Sequence, residues 1–281
     1  MARPRKRRSA RRSSSRRRSS SASVLSTIGW GVVIVVVVAL VIGGFWLADR
    51  QRKANATDAV TLCPVEGPTG AMVVLLDLTD PLTRSQANQL QTWLGDEIAS
   101  SPRGTLLSVG VVSEDPSDWG ARFAKCKPQT AEDGNPLIQN PSILGETYND
   151  EFLLPLHETL EKMMQSETQN TSPIMESLQA LVSGTPNFTT TRLRRLVIVS
   201  DMLQNSSVLS FYRSEGWEHF TETRAHERLA GNLDEVGVTL LRIPRTSANI
   251  GDPLKVDTFW ARYFDSQGTS ARFDVRNLGD L

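Results

Sequence analysis

Carboxylates and hydroxyls gather at the ends of three apolar stretches. Val73-Val74-Leu75-Leu76 runs into Asp77-Leu78-Thr79-Asp80, Ser172 stands before Pro173-Ile174-Met175-Glu176-Ser177-Leu178, and Leu196-Val197-Ile198-Val199 ends in Ser200-Asp201. Hard divalent cations are held by oxygens of these kinds. An apolar run that stops abruptly in polar groups is also how a buried parallel strand delivers side chains to the carboxyl edge of an α/β sheet. The three segments suggest one divalent-metal or polar site at such an edge. Carboxylates brought together there repel one another unless a cation or hydrogen bonds compensate them.

The elements needed to position these groups follow from patterning. Residues 71–78 predict a strand, 83–100 a helix with Leu90, Trp93, Leu94 and Ile98 on one face, and 105–112 a second strand. Residues 113–149 are rich in Pro, Gly, Asn and Asp and predict an irregular insertion around Trp119, Phe123 and Cys126. Helices are expected at 150–165 and 173–183, a strand at 193–200, a helix at 217–236, a strand at 238–243 and a last helix at 253–266. The alternation predicts an α/β domain over 68–281, a mainly parallel doubly wound sheet with helices on both faces.

In the order and spacing of the three segments the chain resembles a von Willebrand factor A-type domain over roughly residues 68–268. That family places an Asp-x-Ser-x-Ser turn after its first strand, a Thr before a helix and an Asp after a later strand, around Mg²⁺ or Mn²⁺. Asp77 and Thr79 match the first two positions of the turn, and Ser172 in Ser-Pro-Ile-Met-Glu-Ser-Leu matches the Thr. Asp201 takes the place of the late Asp, with Met202 where Gly is common. The resemblance implies a metal held by Asp77, Thr79, Ser172 and Asp201, with a partner protein's Asp or Glu completing the coordination. The departure is Pro81, which stands where a third hydroxyl belongs. Asp80 is the candidate to supply that oxygen, directly or through water, and a metal-free polar edge is the alternative.

Each residue also has a purely local reading. Thr79 and Asp80 fix a turn before the helix, Ser172 caps a helix with Pro at its first position, and Asp201 closes a turn. An enzyme is a further alternative, because Asp77-Leu78-Thr79 resembles the nucleophile motif of the haloacid dehalogenase-like phosphatases. Ser200 would then bind phosphate, and Asp252 with Asp257 would hold a metal. The match is incomplete: Thr79 replaces a second Asp, no apolar strand precedes Gly251, and no Lys lies between Ser200 and Asp252. Gly-rich phosphate loops, Gly-x-Ser-x-Gly elbows and Cys-x-x-Cys pairs are absent from the sequence, and His157, His219 and His226 form no metal-ligand motif.

The balanced total charge conceals a segregation. Of the 31 basic residues, ten lie within residues 1–18, and no acid precedes Asp49. Residues 1–27 form a basic Arg/Ser-rich tail, and 28–47 is an uncharged apolar run long enough to span a bilayer. The positive-inside bias keeps the tail cytoplasmic and exports the rest past a linker at 48–67. A cleavable signal peptide is the competing reading, given Ala54-Asn55-Ala56, but the run is longer than such a segment needs and charges separate it from Ala54. The chain resembles compact bacterial proteins of this class, and that resemblance implies a bacterial inner membrane with a periplasmic domain as the setting. A eukaryotic type II protein would instead expose sequons at Asn55, Asn170, Asn187 and Asn205.

Beyond the tail, 21 basic residues face 31 acids, a formal charge near minus ten that argues against nucleic acid as the partner of the exported domain. Cys63 and Cys126 both fall in that part, where an oxidising compartment permits a disulfide. Trp119, Phe123, Phe211, Tyr212 and Trp217, with the polar segment Gln204-Asn205-Ser206-Ser207, offer either a protein-contact surface or local packing under long loops.

Overall fold

The structure, a computed structural model, describes residues 21–134, 139–165, 168–229, 233–245, 253–269 and 273–279. The basic tail through residue 20 and Gly251-Asp252 lie outside them. The chain divides into two units, Met1–Asn55 and Ala56–Leu281. In the first, helix α1 (Ser21–Ala54) contains an apolar stretch, Val33–Arg50, long enough to cross a membrane. Its Val and Ile side chains are exposed, with Val35 at 67%. A water-soluble surface rarely tolerates so continuous an apolar face.

The second unit is an α/β domain. Strands β1 (Gly70–Leu76), β2 (Thr105–Val111), β3 (Phe123–Cys126), β4 (Arg194–Ser200), β5 (Gly237–Arg242) and β6 (Phe273–Asn277) form one sheet in the order β3-β2-β1-β4-β5-β6. All neighbours are parallel except β2 and β3. Strand β1 is central and buried along its whole length. Its alternate residues feed two cores. Ala71, Val73 and Leu75 pack with helix α5 (Ile174–Gly184) and a cluster of aromatics that includes Phe220, Phe259, Trp260, Tyr263 and Phe264. Met72, Val74 and Leu76 face α2 (Arg84–Ser100) and α4 (Leu154–Met164). Burying each such side chain contributes roughly 1.5–3 kcal/mol, so the two-sided strand is the main anchor of the domain.

Local sequence fixes the flanking helices. Thr83 and Gln86 form a capping box at the start of α2, and Leu90, Leu94 and Ile98 recur at helical spacing on its buried face. Helix α5 approaches β2 closely. A Cβ added at Gly110 would stand 2.8 Å from a Leu181 methyl, which explains the glycine in an otherwise branched strand.

Two expected elements differ. The segment 113–149 is not wholly irregular. It contains a 3-10 turn (Pro116–Asp118), the antiparallel edge strand β3, helix α3 (Pro141–Glu146) and a π-helical stretch (Thr147–Leu153) leading into α4. The helix expected at 217–236 is instead two short ones, α6 (Trp217–Glu222) and α7 (Ala225–Arg228), because Arg224 sits at φ +56 and breaks the helical path. Helix α8 (Pro253–Ser266) falls where its pattern predicts.

Residues 56–67, read from sequence as linker, fold onto the domain. Thr57 bridges Pro64, Leu62 is buried, and Cys63 is disulfide-bonded to Cys126 with their Cα atoms 4.7 Å apart. Beside the bridge, Cys126 N–H donates to Thr61 O, and the buried Lys127 ammonium donates to Ala99 O and Ser101 O at the end of α2.

Candidate functional site

The register of β1 and β4 sets the site. Leu76 pairs with Val199, and the Asp77 N–H donates to Val199 O, so the side chains of Asp77 and Ser200 emerge together at the carboxyl edge. The Ser200 hydroxyl donates to Asp77 Oδ2 at 2.7 Å, and Ser172, from the loop entering α5, donates to the same oxygen at 3.1 Å. Asp77 Oδ1 accepts from the Thr79 hydroxyl at 2.7 Å and from the Thr79 N–H at 3.3 Å. Three chain segments thus meet on one carboxylate that is 4% exposed. Four hydrogen bonds satisfy the acceptor positions of this buried carboxyl.

A second carboxyl lies beside it. Asp201 Oδ1 accepts from the Leu203 N–H at 2.9 Å in a tight turn, and Met202 within that turn adopts φ +67. This left-handed geometry is the one glycine enters without strain, and Met202 holds it while burying its side chain. Two further bonds brace the turn: the Ser200 hydroxyl accepts from the Met202 N–H, and the Trp260 indole N–H donates to Met202 O at 2.8 Å. Burial and the negative charge of Asp77 push the Asp201 carboxyl up to about 7, against the Leu203 N–H and the Arg245 guanidinium, which favour its charged form. Asp80 is exposed and adds to the repulsion. Burial and the charges of Asp201, Asp80 and Asp77 likewise raise the Tyr212 phenol. Arg245 donates to the carbonyls of Asp80 and Pro81 and so holds the turn after β1.

Around this pair lies a polar scaffold that sequence reasoning did not assign to the site. Gln204 is fully buried; its Oε1 accepts from the Met175 N–H in the first turn of α5, and its amide donates to Glu176 and Ser206. Asn205 and Ser172 exchange backbone hydrogen bonds at 2.8 and 2.9 Å. The Asn205 amide donates to Asn170 O and its carbonyl accepts from the Ser210 hydroxyl. The loop after β4 is therefore fastened to the loop before α5. A buried glutamine three residues beyond a strand-end Asp was the available signal, but nothing in its spacing distinguishes it from a solvated one.

The site residues fit a hard cation in chemical type: two carboxylates and the hydroxyls of Thr79, Ser172 and Ser200 are all oxygen donors. Among the described residues no group of three or more His, Cys, Asp and Glu side chains is arranged to hold a metal, so the candidate here is a mixed carboxylate and hydroxyl set. Ser200 supplies a hydroxyl at the edge where Pro81 removes one.

A central β1, an antiparallel outer strand next to β2, and a carboxyl edge where β1, β4 and the entry to α5 converge complete the architecture. The fold is α/β, a six-stranded, mostly parallel sheet with helices. No protein-family model and no curated protein sequence matches the chain. Solved structures that match include the conserved hypothetical protein BatB from Bacteroides thetaiotaomicron, at 9% identity over 75% of this chain and 91% of that one, with a TM-score of 0.38. Another is an aerotolerance-related membrane protein from Bacteroides fragilis NCTC 9343 bearing multiple mutations to serines, at 10% identity over 74% of this chain and 90% of that one, with a TM-score of 0.36.

The remaining candidates separate from this carboxyl edge. Phe123 and Phe211 are core residues, Trp217 packs against Phe220 and Phe259, and the Trp119 indole N–H donates to Ser113 O. Of the five aromatics only Tyr212 is exposed, at 44%. Asp257, one of the acids in the phosphatase alternative, pairs with Arg242 at 2.7 Å. His219 and His226 fall on different helices, near Glu215 and Glu227 respectively.

Proposed function

We propose that this chain is a membrane-anchored protein-binding domain that engages its partner through the carboxyl edge, with the apolar helix in the bilayer, the basic tail in the cytoplasm and the domain exported. The observation that carries this reading is the buried Asp77 carboxylate, on which hydroxyls from three separate segments converge beside a second, charge-strained carboxyl. Mg²⁺ or Mn²⁺ would be held by Asp77, Thr79, Ser172 and Asp201, with Asp80 or Ser200 as the further oxygen, and would supply a coordination position for a partner's acidic side chain. Asp77 and Ser172 orient the set through their mutual hydrogen bond. Tyr212 and the exposed Asp80 form the rim that a partner meets first. Binding is preferred to the phosphatase alternative because Asp257, one of the acids that alternative needs for a metal, pairs with Arg242 instead.

Calorimetric titration of Mg²⁺ and Mn²⁺ into the full chain in detergent micelles tests it, with D77N/D201N as the control. Saturable binding lost in the control is the expected outcome. A folded wild-type chain that takes up neither ion would remove the metal-dependent mechanism and leave a polar, metal-free contact edge.

A further inference from the structure

Strand β6 closes the sheet opposite β3, and β5 is its one strand neighbour among the described residues. The Leu278 N–H donates to Arg242 O at 2.7 Å, which fixes the parity of the strand. Backbone groups alternate in direction along a strand, so residues 274 and 276 turn theirs toward β5, and Val275 and Asn277 turn theirs to the open edge. Asp274, Val275, Arg276 and Asn277 are all exposed, Val275 at 48%. Asp274 and Arg276 lie on one face and form an ion pair at 2.8 Å, each side chain about half exposed, at 51% and 53%. An open edge of this kind is a template for another strand.

We propose that β6 pairs antiparallel with β6 of a second copy of this chain, about a two-fold axis through Val275. Symmetry then fixes every contact. Val275 meets the partner's Val275 as a hydrogen-bonded pair, which uses its outward N–H and C=O. Asp274 meets the partner's Arg276, and Arg276 meets the partner's Asp274. These two pairs occupy the non-hydrogen-bonded positions, where facing Cα atoms are only about 4.5 Å apart and side chains approach most closely. The charge order also selects the register. An axis through residue 274 would set Asp274 against the partner's Asp274, and one through 276 would set Arg276 against the partner's Arg276, both repulsive. Backbone parity, exposure and charge therefore agree on one isologous contact, which joins two six-stranded sheets into one.

The test is charge reversal, read by sedimentation velocity on the full chain in detergent micelles. Wild type is expected to show a monomer-dimer equilibrium, and D274R or R276D alone to weaken it about tenfold, since each turns two attractive pairs into two repulsive ones. An equimolar mixture of the two single variants is expected to restore pairing, because every cross-strand contact is then again opposite in sign. An Asp-Arg pair within one strand gains nothing from mixing. The neutral variants D274N and R276Q, gentler on folding, are expected to give intermediate losses, and circular dichroism checks that each variant is folded. A wild type that stays monomeric overturns the proposal. So does association that both reversals leave unchanged, which would place the contact elsewhere, or a failure of the mixture to recover it.

Discussion

The two ends of the sheet are built by opposite means. At the amino end the chain is fixed in place: Cys63 is bonded to Cys126, Cys126 N–H donates to Thr61 O, and Lys127 closes the last turn of α2 on two carbonyls. At the carboxyl end, two carboxyls are held side by side in a largely buried place, and hydroxyls with one guanidinium only partly compensate them. The first arrangement ties the chain to the domain through a covalent bond and hydrogen bonds to backbone carbonyls. The second is tolerated at a cost, and groups kept in that condition mark functional sites more often than structural ones.

This contrast is broken most severely at the disulfide. C63S/C126S removes a closure between residues 63 positions apart, and the chain-entropy relation puts the loss at about 4 kcal/mol. We expect a clear fall in Tm by circular dichroism, with ion binding at the other end intact below the new Tm. Coupled loss of both at temperatures where the variant is folded would show that the two ends are not independent.

The next effect is a pH dependence. The Asp201 carboxyl rises from an ordinary value of 3.8 to about 7 in the folded chain. Between those values the native state keeps a proton that the unfolded state has released. Its contribution is complete below about pH 4 and is lost as pH climbs through 7. Stability is expected to drop by about 3 kcal/mol from pH 5 to pH 8, and D201N to flatten the slope. Chemical denaturation at the two pH values measures both; an unchanged slope in D201N would place the titration elsewhere. The smallest effect belongs to the amino end, where K127M removes two bonds to the α2 terminus. It should lower stability by about 1 kcal/mol, with no change in ion binding.

How far the sequence disclosed all this depends on burial. Strands β1 and β4 were legible because both faces of each are covered, and their runs of Val, Leu and Ile end sharply at Asp77 and at Ser200-Asp201. The meeting of Asp77, Thr79 and Ser172 followed from that. Strands β3 and β6 escaped notice because edge strands are short, half solvated and carry charge, as Lys125, Asp274 and Arg276 do. The break between α6 and α7 carries no Gly or Pro, since Arg224 adopts the left-handed turn itself. Gln204 and Asn205 look like any polar loop, and their role arises only when the loop after β4 folds against Ser172 and Met175.

The indole of Trp260, 2% exposed, ends its hydrogen bond on the carbonyl of Met202, one residue beyond Asp201. The molecule therefore contains its own optical probe. Any occupant of the carboxyl edge that draws the Met202 carbonyl away alters the polarity around this shielded ring, and replacing the other five tryptophans isolates its emission as the report of that event.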